Sequence, residues 1–101
     1  MLITRWQAPT TPSREQTLMI MDMEGLDVST EIHGPKEKIP EHRHPFTEVR
    51  IIIQGELLFN IAGNQFLVRS GDRLEIPANT KHWHQNHGNT EAISLYGQRV
   101  F

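Results

Sequence analysis

No cysteine occurs in this chain. That removes any disulfide framework and any thiol nucleophile, and it leaves the redox compartment unmarked. Lysine and arginine form no run: ten basic and twelve acidic residues are interspersed for a net charge of −2. The electrostatic footprint of a nucleic-acid-binding protein is therefore missing. Long hydrophobic stretches are lacking too, so no segment approaches membrane-spanning length. Met1-Leu2-Ile3-Thr4-Arg5-Trp6 has no apolar core of the signal-peptide type, which makes a cytoplasmic location the expectation. Residues 1–101, 37% of them hydrophobic, suffice for one domain with a modest core.

What is present is a succession of short β-prone runs broken by turn residues. Strands are expected over residues 2–6, 17–23, 27–33, 42–44, 48–54, 56–61, 65–69, 73–76, 81–85 and 91–97. Val49-Arg50-Ile51-Ile52-Ile53-Gln54 is rich in β-branched residues and stops at Gly55. Ala62-Gly63-Asn64 joins two such runs as a hairpin. Ser70-Gly71-Asp72 and Pro77-Ala78-Asn79-Thr80 read as turns, residues 7–15 read as a loop, and no strong helix is expected. Many short strands at close intervals imply an all-β sandwich or barrel.

The chemistry-bearing residues are His42, His44 and Glu48, joined 34 positions after Glu48 by His82. Side chains two apart in a strand share a face, so His42, His44, Glu48 and Arg50 can look into one interior, and His84 lies on the face of His82. Three imidazoles and one carboxylate suit a divalent transition metal ion, whether iron, manganese, nickel, zinc or copper. A buried Arg50 needs an anionic partner. Glu56 or Glu75 would supply it internally; otherwise Arg50 binds an anionic ligand while His84 donates or accepts a proton. His33 and His87 read as surface or hydrogen-bonded histidines. Met19, Met21 and Met23 read as packing residues on one strand face. Ile52, Phe59, Phe66, Trp83 and Tyr96 are the candidate pocket lining, with a register uncertain by one residue.

These residues fall into two motifs. The first is His42, one residue, His44, three residues, Glu48, six residues, Gly55. The second is Gly71, five residues, Pro77, one residue, Asn79, two residues, His82, three residues, Asn86. In this pattern the chain resembles the cupin superfamily, specifically its small single-domain members. Two positions depart from it: Lys36 stands where a glycine is expected before the first motif, and Asn79 replaces a glycine in the second. Asparagine tolerates the left-handed backbone that such a position demands.

The resemblance implies a double-stranded β-helix, or jelly-roll, barrel formed by residues 1–101, with His42, His44, Glu48 and His82 as the metal ligands. It implies a metal-dependent enzyme of the dioxygenase or isomerase type, acting on a small oxygen-rich, possibly anionic, organic molecule. Two alternatives stay open: a non-catalytic module that binds or senses a sugar or organic acid, and a metal-free sugar-modifying cupin. Val49, Ile51 and Ile53 would point out of the barrel and need cover from a second sheet, an N-terminal segment or a partner. A homodimer is expected, with residues 1–25, and Leu18-Met19-Ile20-Met21 in particular, contributing to the interface.

Overall fold

The computed structural model describes residues 2–99. Nine strands and one helix follow in the order β1 (Leu2–Thr4), α1 (Arg14–Met23), β2 (Ser29–His33), β3 (Lys38–His42), β4 (Thr47–Gln54), β5 (Glu56–Ile61), β6 (Asn64–Arg69), β7 (Arg73–Ile76), β8 (His82–Gln85) and β9 (Ala92–Arg99). They form two antiparallel sheets, one ordered β1-β7-β4-β9-β2 and the other β3-β8-β5-β6. The sheets face each other as a jelly roll.

Alternation along the strands builds the interior. Leu57, Phe59 and Ile61 of β5 meet Ile52 of β4, Leu74 and Ile76 of β7, Val68 and Ala92 in one buried cluster between the sheets. That cluster occupies one part of the barrel. The remainder of the inner surface of β4, β2 and β8 is polar.

The helix overturns the expectation of a strand over 17–23. Its signal is local: Ser13 Oγ accepts from the Gln16 backbone N–H, and the Gln16 side chain accepts from the Ser13 N–H, a complete capping box. Glutamine, leucine and methionine then favour helical propagation over a strand. Thr17 and Met21, four apart, are its buried face, while Met19 and Met23 are exposed, so the three methionines do not share an environment.

Met21 and Leu26 close over Val49 and Ile51 of β4 and Leu95 of β9, with Val28 and Ile53 at the margin. Of the three covers considered for the outer face of β4, the N-terminal segment of the same chain is the one observed.

Strand boundaries shift where turns compete. The expected 42–44 strand is instead β3, ending at His42, with Pro40 inside it. β3 is an edge strand, the position where a residue lacking an N–H is tolerated. Ala62 (φ 51°) and Gly63 (φ 89°) form the two-residue turn of the β5–β6 hairpin, both left-handed. Asn79 adopts φ 61° as expected. Lys36 adopts φ 66°, so the glycine-type backbone is retained there with a lysine on it.

Candidate metal centre

A bulge aims the first histidine. Ile39 pairs with His84 and His42 pairs with His82, so three residues of β3 span two of β8. Directly opposed residues share a face, and the extra residue therefore turns His42 onto the face of His82. His44 lies beyond the strand, in the loop that Asn79 secures by donating its backbone N–H to the His44 carbonyl at 2.6 Å. His42 and His44 thus converge through a bulge and a loop, not through the strand periodicity expected for 42–44.

The three imidazoles offer ligand atoms that all lie within 4.8 Å of one another. Glu48, reaching in from β4, places Oε1 3.1 Å from His44 Nε2 and 3.9 Å from His82 Nε2. Around an ion with bonds of about 2.1 Å, adjacent octahedral donors lie about 3 Å apart and opposite ones about 4 Å. The two Glu48 separations, 3.1 and 3.9 Å, fall in that range.

Tautomers are set from outside the cluster. His42 Nδ1 contacts the Pro40 carbonyl and His82 Nδ1 the Thr80 carbonyl, both at 2.8 Å. A carbonyl only accepts, so each Nδ1 carries the proton and each Nε2 presents a lone pair. His82 Nε2 is buried with no hydrogen-bond partner, an arrangement that a cation would satisfy. Burial also pushes the His82 pKa down, against the raising effect of the Thr80 carbonyl and Glu48, which keeps the ring neutral.

Arg50 organises the carboxylates. It is 2% exposed, and its Nε donates to Glu48 Oε2 at 2.9 Å while Nη1 donates to Glu31 Oε1 and to Ser94 Oγ. The expected partners Glu56 and Glu75 are engaged elsewhere: Glu56 with His87 and Arg69, Glu75 with Arg73 and Arg99. Physically, Glu48 and Glu31 sit on the inner face with Arg50, whereas Glu75 opposes Val49, on the other face of β4.

Burial alone would lower the Arg50 pKa, but the two carboxylates raise it. Burial would likewise raise Glu48, yet the charge and hydrogen bond of Arg50 lower it. With Oε2 held by the guanidinium, Glu48 Oε1 is the oxygen that faces His44 and His82.

His84 is buried, as the regular-strand reading requires, and its Nε2 contacts Glu31 Oε1 at 2.9 Å. His33, read as a surface or hydrogen-bonded residue, is fully buried with neither nitrogen partnered. His87 is exposed and pairs with Glu56. Glu31 is not singled out by the sequence reading and His33 is not read there as a ligand, although the i, i+2 rule applied to the expected 27–33 strand puts them on one face.

Of the candidate lining residues, Ile52 and Phe59 face the interior, and Phe59 stacks on His84 with centroids 4.7 Å apart. Tyr96 lies under the Arg50 guanidinium at 4.7 Å. Phe66 packs at the edge of the apolar cluster. Trp83 takes the opposite face of β8, where the Lys38 ammonium sits 4.2 Å from its ring centroid. His44 is partly exposed and stacks on Phe46. Phe46 and Tyr96, with Asp27, Ser29, Gly97 and Gln98, border a cleft of about 230 Å³ beside the cluster.

The family assignment agrees with this geometry. The Cupin domain family matches residues 30–96. The chain belongs to the cupin family. It is 36% identical over 66 residues to a protein named polyketide synthase CurC from Streptomyces cyaneus, covering 64% of this chain and 43% of that one. An acireductone dioxygenase from Alcanivorax borkumensis is 41% identical over 49 residues, 45% of this chain and 27% of the relative.

Among solved structures, an oxalate oxidase in complex with the substrate analogue glycolate superposes with a TM-score of 0.68 at 28% identity, over 79% of this chain and 44% of the other. A salicylate 1,2-dioxygenase from Pseudoaminobacter salicylatoxidans gives 0.67 at 28%, over 70% and 21%. The chain spans less than half the length of the curated relatives named here. Among the described residues, no helix is long and apolar enough to cross a membrane.

Proposed function

We propose that the chain is a metal-dependent cupin enzyme of the dioxygenase or isomerase type, acting on a small oxygen-rich organic molecule. His42, His44, Glu48 and His82 hold the metal in this reading. The observation that carries it is His82 Nε2, stripped of its proton by the Thr80 contact, buried without a partner, and turned toward two further imidazoles and a carboxylate.

A bound divalent ion supplies Lewis acidity, polarising a carbonyl or enolate oxygen or lowering the pKa of a water. The protein's own part is positional. Arg50 fixes which Glu48 oxygen faces the centre, the Pro40 and Thr80 carbonyls fix the imidazole tautomers, and the partly exposed His44 marks the side open to substrate. Arg50 is committed to Glu48, Glu31 and Ser94, and this supports a positioning role in place of direct anion binding. His84 turns Nε2 to Glu31, so the proton-handling role expected of it is not part of this reading. The dioxygenases and the oxidase among the similar proteins support oxygen chemistry on a small substrate.

The deciding experiment is metal content and an anomalous-scattering map on purified protein, followed by oxygen uptake and substrate loss with the iron- or manganese-loaded sample. Metal at the four side chains with turnover is the expected result. Metal with stable binding and no turnover would make the chain a binding module, and a metal-free protein that remains active would make it a metal-free sugar-modifying cupin. His44→Ala should release the ion from a protein that stays folded.

The exposed Leu18, Met19, Ile20 and Met23 of α1 support a homodimer through that helix, which sedimentation equilibrium tests.

A further inference from the structure

Among the described residues, four buried side-chain polar atoms lack a hydrogen-bond partner, and all four are imidazole nitrogens. One is His82 Nε2. The other three are both nitrogens of His33 and Nδ1 of His84. Buried polar groups are almost always satisfied, because an unpaired one forfeits its hydration without return. A neutral imidazole carries one N–H and one lone pair, so the fully buried His33 holds a lone pair that meets no donor, and a cation is what such a lone pair accepts in company with Glu31 and His84.

Glu31 supplies the charge. Projecting from β2 two residues before His33, it brings Oε1 to 2.9 Å from His84 Nε2 and 3.4 Å from His33 Nε2. One ligand atom from each of Glu31, His33 and His84 lies within 4.8 Å of the others, and the two imidazoles meet edge-on at 4.9 Å. The two Glu31 separations, 2.9 and 3.4 Å, are again those of donors sharing an ion with bonds of about 2.1 Å.

We propose that Glu31, His33 and His84 form a second divalent-cation site, across Arg50 from the His42–His44–Glu48–His82 cluster. Two imidazoles and a carboxylate are a recognised donor set for a transition metal with open positions. An anion is disfavoured by Glu31, and an apolar ligand would leave the buried His33 lone pair without a partner. Glu31 is 24% exposed, which gives the site a way in beside the edge strand β2. Arg50 donates to both carboxylates, so it serves each site from outside the donor set. It also adds a positive charge between two cations, so the second ion binds more weakly than the first.

The test is stoichiometry on the full chain, stripped with a chelator and titrated with Co²⁺ or Zn²⁺ under elemental analysis. Two equivalents per chain are expected, one tight and one weaker. His33→Phe, which fills the buried space, and Glu31→Gln should each leave only the tight equivalent. His44→Ala should leave only the weaker. Circular dichroism establishes folding for each variant, and should His33→Phe fail to fold, Glu31→Gln decides. A single equivalent that survives Glu31→Gln and His33→Phe but disappears in His44→Ala overturns this proposal and leaves the proposed function intact. A single equivalent with the reverse pattern supports this site and sinks the other. No bound metal in any variant rejects both.

Discussion

The two faces of β4 place consecutive residues in opposite chemistry. Val49 and Ile51 point outward onto Met21, Leu26 and Leu95, where stability comes from apolar area removed from water. Glu48 and Arg50 point inward, nearly as deeply buried, and charge is compensated there by charge. The outer face tolerates any well-fitting aliphatic. The inner face is specific, because each ion depends on its neighbour and the loss of one partner strands another. It is the inner face that aims Glu48 at the imidazoles.

Removing Arg50 should break this comparison most severely. Arg50→Met leaves Glu48 and Glu31 without their buried cation, and a loss of about 3–5 kcal/mol is expected in urea unfolding. A triple variant that also carries Glu48→Gln and Glu31→Gln should recover most of it. If Arg50→Met alone proves neutral, the inner face is not held by ion pairing. On the outer face, Met21→Ala should cost about 2–5 kcal/mol through lost packing and a residual cavity, with metal content unchanged. Altered metal content would show that the two faces are coupled.

Acidification should separate the faces without mutation. Burial holds His82 and His84 below their ordinary value of 6.5, so as pH falls below 6.5 the unfolded chain takes up protons before the folded one and stability of the metal-free protein declines. Burial would raise the Glu31 pKa, but the His84 hydrogen bond and the Arg50 charge outweigh it and hold it at about 2, against an ordinary 4.5. The stability this contributes is complete above 4.5 and is lost as pH falls toward 2. Stepwise losses in melting temperature through these two windows are expected for the wild type. Glu31→Gln should shrink the lower step, with Glu48, also held below its ordinary value by Arg50, supplying part of what remains; an undiminished lower step would place the charge elsewhere.

The smallest effect serves as a control remote from both faces. Lys36 occupies a left-handed backbone that costs a non-glycine residue about 1–2 kcal/mol. Glycine there gains that amount and returns about 0.4–1 kcal/mol to unfolded-chain entropy. Lys36→Gly should therefore stabilise by about 0.5–1 kcal/mol in thermal unfolding, with metal binding unaltered.

The strands from β4 to β9 were legible because their alternation and turn residues agree: Gly55, Ala62-Gly63 and Ser70-Gly71 each fall where a strand must end. The helix is harder to read, because Leu18-Met19-Ile20-Met21 looks like an apolar run while the deciding signal is the Ser13–Gln16 capping pair. The four clustered residues are legible from spacing, but strand alternation does not account for His42 and His44, since a bulge at Pro40-Glu41 is invisible to a period-two rule. The partners of Arg50 were out of reach for a different reason. Glu31 lies 19 positions away and meets Arg50 only because β2 and β4 flank β9 in one sheet.

By itself, then, the sequence determined the alternation of its strands, the placing of its turns, and the motif spacing that identifies the family, because these depend on residues a few positions apart. Tertiary structure alone decided which carboxylates hold the buried guanidinium, which imidazole nitrogens are left bare, and which segment covers the outer sheet. Those outcomes depend on strand order and register, which bring distant residues together through contacts that no local pattern encodes.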